Sequence, residues 1–179
     1  FETWLAPENF DVGGRQRVAL SVLTAREIEA DGLSLARLGP PDRALVEEIQ
    51  AAAYARTRDA TGSEPIPLAW DYGDILRDCE PWLAGPRETP HGLLILRRGP
   101  DHLYLESLAT LPALAGTGLG RAMIQAVFER ARTLALPEIR LMTNARNPAF
   151  AWYKRLGFVV EREENLGDRI AIHLAAKVA

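Results

Sequence analysis

A loop with three closely spaced glycines constrains this chain more than any other stretch of its sequence. Residues 112–120 read Pro-Ala-Leu-Ala-Gly-Thr-Gly-Leu-Gly and follow residues 103–110, whose apolar pattern predicts a β-strand. After the loop, apolar residues recur at helical spacing: Leu119, Met123, Val127, Ala131 and Leu134. A strand, a glycine loop and a helix in this order point several backbone N–H groups and the positive end of the helix dipole at one spot, which suits a phosphate or pyrophosphate. A tight turn without a ligand is the alternative interpretation.

Two common phosphate-binding loops do not match this pattern. A Walker A loop ends in Gly-Lys-Ser/Thr, whereas this loop ends in Gly120-Arg121-Ala122. A dinucleotide-binding loop that started at Gly116 would need glycine at position 121, and one that started at Gly118 would need glycine at position 123. A Rossmann-type nucleotide-binding domain therefore remains only as a weaker alternative.

The order of the predicted elements indicates a mixed α/β domain. We expect strands at residues 17–23, 33–38, 82–84, 92–96, 103–110, 139–143, 158–163 and 169–178. The expected helices are one with an apolar stripe of Leu45, Ile49, Ala52 and Ala53, followed by helices at 71–79, 119–134 and 147–156, with a loop at 57–70. Strands and helices that alternate in this way predict helices packed on one sheet.

Composition and net charge limit the classes of partner that this chain is expected to bind. The chain has 179 residues and a formal charge of −3, so one domain without a general excess of positive charge is expected, and neither nucleic acid nor a membrane is an expected partner. The lone Cys79 can form neither an intrachain disulfide nor a Cys-based zinc site, so we expect a cytoplasmic protein without a metal. Residues 110–156 nevertheless hold seven Arg or Lys residues against two acidic residues, which suits a polyanionic ligand.

A second motif lies downstream of the glycine loop. Residues 147–158 read Asn-Pro-Ala-Phe-Ala-Trp-Tyr-Lys-Arg-Leu-Gly-Phe. Together with the loop, this stretch resembles the GNAT superfamily of acetyl-CoA-dependent N-acetyltransferases, whose loop is Gln/Arg-x-x-Gly-x-Gly/Ala and whose later helix carries Ala…Tyr-x-x-Leu-Gly-Phe. The chain departs from these patterns at two positions, because Ala115 stands at the Gln/Arg position and Arg146 stands where the family has Asn.

The resemblance runs from about residue 33 to residue 178. Residues 62–76 and 141–144 further resemble a bacterial branch of the family whose acceptors are mostly unassigned. The resemblance implies a mixed, mainly antiparallel twisted sheet flanked by helices over residues 33–179, with residues 1–32 as an N-terminal extension of unknown role. It also implies that acetyl-CoA lies along strand 103–110, where backbone amides polarise the thioester carbonyl. The residues implied to bind acetyl-CoA are Leu108, Ala109, Thr110, Ala115, Gly116, Thr117, Gly118, Leu119, Gly120, Arg121, Asn144 and Asn147. For Asn147, a helix cap before Pro148 is the competing role.

The resemblance also implies catalytic residues. Tyr153 occupies the general-acid position, from which its hydroxyl would protonate the departing thiolate; the alternative is that it only packs beneath its helix. Glu106 is the candidate base or acceptor contact, with His91 and His173 as weaker candidates that more often have structural roles. Asp71 and Tyr72 are further candidates for the acceptor pocket.

The resulting prediction is an N-acetyltransferase that moves acetyl from acetyl-CoA to a primary amine. Direct transfer is favoured, because no motif places a base beside Cys79. A catalytically silent acyl-CoA-binding module is the main alternative. We expect loops 57–76 and 163–169 to form the acceptor pocket, and a homodimer through the last strands remains open.

Overall fold

The computed structural model of the chain describes residues 9–11 and 17–179. Within these residues the strands are β1 (Asn9–Asp11), β2 (Arg17–Ala19), β3 (Glu27–Ala30), β4 (Leu33–Arg37), β5 (Glu80–Ala84), β6 (Gly92–Arg98), β7 (Leu103–Thr110), β8 (Glu138–Asn144), β9 (Val159–Asn165) and β10 (Ile170–Lys177). The α-helices are α1 (Leu20–Leu23), α2 (Arg43–Thr61), α3 (Tyr72–Asp78), α4 (Leu119–Thr133) and α5 (Ala149–Arg155). Short 3₁₀ turns cover Pro40–Asp42, Ile66–Ala69 and Pro112–Leu114.

One eight-stranded sheet organises the fold, in the order β3-β4-β5-β6-β7-β8-β10-β9. Every neighbouring pair is antiparallel except β7 and β8, which are parallel. The predicted mixed α/β fold with a mainly antiparallel sheet is therefore confirmed.

Both faces of the central strands are covered, because successive side chains of a strand point to opposite faces. Leu94 and Leu96 of β6 belong to the core cluster that includes α4. Leu93 and Ile95 belong to the other cluster, which includes residues of α2 and α3. All four side chains are fully buried, so β6 reads as a continuous apolar run, as expected for a strand between two helical layers.

Helix α2 differs from its prediction in length and in its buried face. It continues to Thr61, so residues 57–61 of the expected loop are helical. Ala52 of the expected stripe is exposed, whereas Val46 and Gln50 are buried. Contact with the sheet sets the rotation of this helix, and the side-chain oxygen of the buried Gln50 accepts a hydrogen bond from Ser107 of the sheet.

The segment before β3 is tied to the core by a buried guanidinium. Arg130 of α4 is 2% exposed, forms two hydrogen bonds to the carboxylate of Glu80 and donates to the carbonyl of Val22 at 2.6 Å. Arg37 lies 3.6 Å from the same carboxylate. Residues 1–8 and 12–16 of the expected extension lie outside the described residues, and its boundary at residue 33 stays a prediction; residues 17–23, expected as one strand, form β2 and α1.

Strands β7 and β8 pair only at their beginnings. The last paired residues are Leu105 and Leu141, beyond which the two strands separate. On its other side β7 stays paired with β6 up to Thr110, but Ile95 lies opposite Ser107 while Leu96 lies opposite Leu105. Glu106 is therefore the extra residue of a β-bulge at the start of the gap, where a bulge can redirect a side chain.

Two absences hold for the part of the chain that the structure describes. None of its helices has the length and apolar character needed to cross a membrane. No three His, Cys, Asp or Glu side chains come together there in a way that could hold a metal ion.

Candidate active site

A cavity of about 300 Å³ lies in the gap between β7 and β8. Its walls come from α2, from the segment that leads into α3, from the start of α5 and from the beginning of β10. Seven of the residues expected at the site line this cavity: Glu106, Leu108, Ala109, Thr110, Asn144, Asn147 and Tyr153. The separation of two neighbouring strands thus brings together expected site residues from β7, from the end of β8 and from the segment 147–153.

The glycine loop lies beside one end of the cavity. Residues 115–121 are not among the lining residues, but a Cβ placed on Gly120 would lie 4.0 Å from Thr110 Cγ2 and 3.7 Å from the Trp152 ring. These are ordinary contact distances, so the protein itself does not require glycine at position 120. The missing side chain instead leaves the backbone open to a ligand.

The conformation of the loop leaves several amides unpaired. Gly116 and Gly118 have φ angles of +77° and +87°, which L side chains rarely adopt. Between residues 115 and 121, five backbone N–H groups have no hydrogen-bond acceptor among the described residues: those of Gly116, Gly118, Leu119, Gly120 and Arg121. The amides of Ala115 and Thr117 are instead bonded to Pro112 and Leu114. The free amides stand at the N-terminus of α4, where the helix dipole favours an anion.

Ion pairs occupy some of the basic residues of segment 110–156. Of the seven basic residues between 110 and 156, three form salt bridges with acidic residues: Arg130, Arg132 and Arg140. The other four form no salt bridge with any described residue: Arg121, Arg146, Lys154 and Arg155. These four remain available for an anionic ligand.

The amides of β7 do not all face the cavity. Leu111 N donates to His91 O on the β6 side. Because N–H groups alternate in direction along a strand, those of Leu108 and Thr110 point away from β6 towards the gap, whereas that of Ala109 points towards β6. Two of the three expected amide donors are thus directed into the cavity.

Tyr153 is held by its ring and has an unpaired hydroxyl. The ring is 8% exposed and contacts Trp152 and Phe158 at centroid distances of 5.0 and 5.5 Å. Among the described residues none is a hydrogen-bond partner of its hydroxyl, which belongs to a side chain that lines the cavity. Burial, reinforced by the nearby Tyr54 phenol, raises the pKa of Tyr153 above its ordinary value, so the hydroxyl remains a proton donor at neutral pH.

Glu106 has a cationic neighbour that the sequence did not indicate. Arg97 of β6 donates from Nε to Glu106 Oε1 at 2.5 Å, and the same guanidinium lies 5.0 Å from the centre of the Tyr104 ring. The second carboxylate oxygen has no hydrogen-bond partner within the described residues. The carboxylate is therefore fixed through one oxygen, and the other remains available to a ligand.

A hydroxyl network under the cavity also escaped sequence reasoning. Tyr54 of α2 and Ser107 of β7 share a hydrogen bond of 2.9 Å, and Ser107 donates to Gln50 Oε1 at 3.1 Å. Gln50 and Tyr54 are four residues apart and so share one face of α2. A buried glutamine in an otherwise apolar stripe is the signal that could have indicated this polar contact with the sheet.

Both asparagines line the cavity, and each already has a structural role. Asn147 Oδ1 accepts from Ala149 N at 2.9 Å at the start of α5, which is the expected capping contact. Asn144 Oδ1 accepts from Arg146 N, and Asn144 Nδ2 donates to Ser63 Oγ at 3.2 Å. The turn between β8 and α5 is thereby fixed at the edge of the cavity.

The loops expected around the acceptor contribute to the cavity, but two expected residues do not. Thr61, Trp70 and Arg169 line it, together with Pro65, Ile66 and Pro67. Asp71 instead caps α3 by accepting from Gly73 N, and Tyr72 is buried and donates to Pro67 O. The expectation that Asp71 and Tyr72 line the pocket is wrong, because both belong to the packing of α3.

Three other candidates also lie outside the cavity. His91 and His173 are not among its lining residues, and His173 Nε2 lies 2.8 Å from Glu164 Oε2. Burial raises the pKa of the Cys79 thiol to about 12, so this residue is protonated at neutral pH and is not a nucleophile.

Comparisons with known proteins agree on one family. Residues 45–158 match the model of the Acetyltransferase (GNAT) family. The PaiA N-acetyltransferase of Thermoplasma acidophilum, solved in complex with coenzyme A, is similar with a TM-score of 0.68 and 18% identity, over 81% of this chain and 98% of that one. The ribosomal-protein-S18-alanine N-acetyltransferase of Escherichia coli is similar with a TM-score of 0.63 and 19% identity, over 82% of this chain and 94% of that one. A GNAT-family acetyltransferase of Listeria monocytogenes is similar with a TM-score of 0.64 and 20% identity, over 84% of this chain and 99% of that one. A search of curated proteins finds no match.

Proposed function

The chain belongs to the acetyltransferase (GNAT) family, a family that uses acetyl-CoA, and from this premise we propose that it transfers acetyl directly to a primary amine in a ternary complex. The observation that carries the proposal is the row of unpaired amides at the start of α4, beside the gap between β7 and β8. Acetyl-CoA supplies the acyl group as a thioester, which an amine can attack. Every other task falls to residues of this chain.

The glycine loop fits the pyrophosphate of the donor. The free N–H groups of residues 116 and 118–121 converge at a helix N-terminus, and two positive φ angles hold them there. Ala115 removes the side-chain contact that the family pattern usually supplies, but the free amides belong to the backbone and do not depend on it. Arg121, which is exposed at the end of the loop, adds positive charge.

The gap between the strands fits the thioester. The N–H groups of Leu108 and Thr110 face it and would stabilise negative charge that develops on the carbonyl oxygen. An amide donor in such a position contributes about 3 kcal/mol to acyl-transfer transition states. Asn144 and Asn147 line the same cavity on the β8 side, from which they would contact the pantetheine arm.

Proton movements then follow from two side chains. As the amine nitrogen forms its bond to the carbonyl carbon and the carbon–sulfur bond breaks, Glu106 accepts a proton from the amine, directly or through water. Tyr153 donates its hydroxyl proton to the departing sulfur. Burial raises the pKa of Tyr153, so its hydroxyl is protonated and can donate when the thiolate leaves. Proton transfer from Glu106 back to Tyr153, through solvent, restores the starting state.

Direct transfer is favoured over a covalent intermediate on the enzyme. Cys79 is buried, does not line the cavity and has a raised pKa, so it cannot take the acyl group at neutral pH. No cysteine is among the described residues that line the cavity. The amine and the thioester must therefore meet within the cavity.

Thermal unfolding with acetyl-CoA, CoA or NAD tests the donor. Saturation at a hundred times the dissociation constant adds about 2.7 kcal/mol of stability, which raises the Tm by about 5–10 °C. We expect this rise with acetyl-CoA and CoA and none with NAD. A rise with NAD alone would refute the proposal.

Release of CoA over a panel of primary amines then tests catalysis. Amine-dependent release by the wild-type chain is expected. Stabilisation by acetyl-CoA without release for any amine would instead identify a silent acyl-CoA-binding module.

A further inference from the structure

The lining of the cavity combines aromatic and aliphatic side chains with uncharged polar ones, and the two charged side chains among its described residues are both paired. From this combination we propose that the acceptor is a small monoamine with an aromatic or apolar body, and not a polyamine or an amino acid. This inference rests on the acetyltransferase function proposed above.

The walls supply the first step. Trp70 and Ile66 come from the segment that leads into α3, Tyr54 comes from α2 and Tyr104 comes from β7. Aromatic rings and an aliphatic side chain from three elements thus line the same cavity as Glu106. Such surfaces gain free energy by burying apolar or aromatic groups. The threonine and asparagine side chains of the same lining can hydrogen-bond a polar substituent, but they carry no charge to pair with a second ammonium group or a carboxylate.

The charges supply the second step. Among the described residues that line the cavity, only Glu106 and Arg169 carry a formal charge at neutral pH. Arg97 neutralises Glu106, and Asp168 binds Arg169 through two hydrogen bonds. The net charge of these four groups is zero. A single amine can use the free oxygen of Glu106, but no further carboxylate is present to pair with a second ammonium group.

Arg169 also bears on acceptors that carry a carboxylate. Besides its bonds to Asp168, its guanidinium donates to the carbonyl of Glu64 at 2.6 Å. An incoming carboxylate would have to compete with Asp168 for this charge. The arrangement therefore selects against amino acids as well as against polyamines.

Matched pairs of amines separate these classes. Pentylamine and 1,5-diaminopentane have the same carbon chain and differ in the second amino group. Phenethylamine and phenylalanine differ only in the carboxylate. We expect kcat/KM for pentylamine to exceed that for 1,5-diaminopentane at least tenfold, and kcat/KM for phenethylamine to exceed that for phenylalanine at least tenfold. Equal or faster turnover of the diamine or of phenylalanine would overturn the inference.

Two neighbouring variants test the wall. Ile66 lines the cavity, whereas Leu68 of the same 3₁₀ turn does not. We expect Ile66→Ala to raise KM for phenethylamine about tenfold and to leave KM for acetyl-CoA unchanged. Leu68→Ala should leave both KM values near wild type. Equal effects of the two variants on the amine KM would contradict the proposed contact.

A third variant tests the charge balance. Asp168→Asn leaves Arg169 without its carboxylate partner, so turnover of phenylalanine relative to phenethylamine should rise severalfold. An unchanged ratio would contradict the proposal that the paired charge of Arg169 selects against carboxylates.

Failure of this inference differs from failure of the proposed function. If acetyl-CoA raises the Tm but none of the four amines is acetylated, the acceptor class is wrong and the donor site stands. If acetyl-CoA does not raise the Tm, the function itself fails.

Discussion

Removal of one oxygen atom from Tyr153 separates catalysis from packing. In Tyr153→Phe the ring keeps its contacts with Trp152 and Phe158, and the deleted hydroxyl has no hydrogen-bond partner among the described residues. We therefore expect the free energy of unfolding to change by less than about 0.5 kcal/mol. If the hydroxyl is the general acid, kcat should fall about 10²- to 10⁴-fold, which corresponds to about 3–5 kcal/mol of activation free energy.

The assay follows CoA thiol release at saturating amine and acetyl-CoA, and thermal unfolding is measured on the same preparations. Because the hydroxyl acts only in the transition state, KM for acetyl-CoA should stay near wild type while kcat falls. The raised pKa of Tyr153 also predicts that wild-type kcat does not decline near pH 10, where an ordinary tyrosine would lose its proton.

Tyr54→Phe provides the matched control. It also deletes one phenolic oxygen, but here the hydroxyl is bonded to Ser107. We expect a loss of about 1 kcal/mol of stability, a fall in Tm of about 2–4 °C and less than a tenfold loss of kcat. Full activity of Tyr153→Phe at every pH would refute the assignment of Tyr153 as the acid. A large fall in its Tm would refute the claim that its hydroxyl is structurally idle.

Three further predictions concern the loop and the supporting structure. Gly118→Ala and Gly167→Ala both place an L side chain at a φ near +90°, so each should cost about 1–2 kcal/mol of stability, but only the first should raise KM for acetyl-CoA; equal KM values would argue against loop binding. Arg130→Met should lower the free energy of urea unfolding by about 3 kcal/mol because it leaves the partly buried Glu80 carboxylate with only a second, more distant guanidinium. Arg132→Met, on an exposed pair, should cost less than about 1 kcal/mol. Hydrogen bonds from two basic neighbours lower the pKa of Glu138 below 4.5, so the stability from this group is present above that pH and is lost as the pH falls through the lowered value. Urea unfolding of Glu138→Gln should therefore depend less on pH than wild type below about pH 4.5, and identical pH profiles would contradict this.

The sequence predicted the donor half of the site because that half is local. Glycine spacing, the strand before the loop and the helix after it lie within one continuous stretch, and the φ angles of Gly116 and Gly118 explain why glycine is needed there. The Asn147 cap and the buried Tyr153 were likewise readable from one short motif. Whether these residues bind and transform acetyl-CoA stays a prediction.

The contacts around Glu106 could not be predicted in the same way. Its bulge depends on the register between β6 and β7, and Arg97 reaches it only because the two strands pair out of step there. The bond between Tyr54 and Ser107 joins residues 53 positions apart. Such contacts depend on how the elements pack against each other. The apolar pattern of α2 did not predict this packing, because it assigned the exposed Ala52 to the buried face.

The donor contacts are local in the sequence and the acceptor contacts are not, which explains why the sequence predicts the donor but not the acceptor. In the proposed complex the donor is held by backbone amides of one turn, so the glycine spacing still predicts acetyl-CoA although Ala115 stands where the family has Gln or Arg. The proposed acceptor site is lined by side chains from distant elements, and Arg169 illustrates this because it binds the carbonyl of Glu64, 105 positions away. A change of one residue in either segment would reshape the acceptor end without disturbing the glycine loop. Acceptor preference should therefore respond to substitutions at Ile66 or Asp168 independently of acetyl-CoA affinity, and a variant at either position that weakened acetyl-CoA binding as much as amine binding would show that the two halves are coupled.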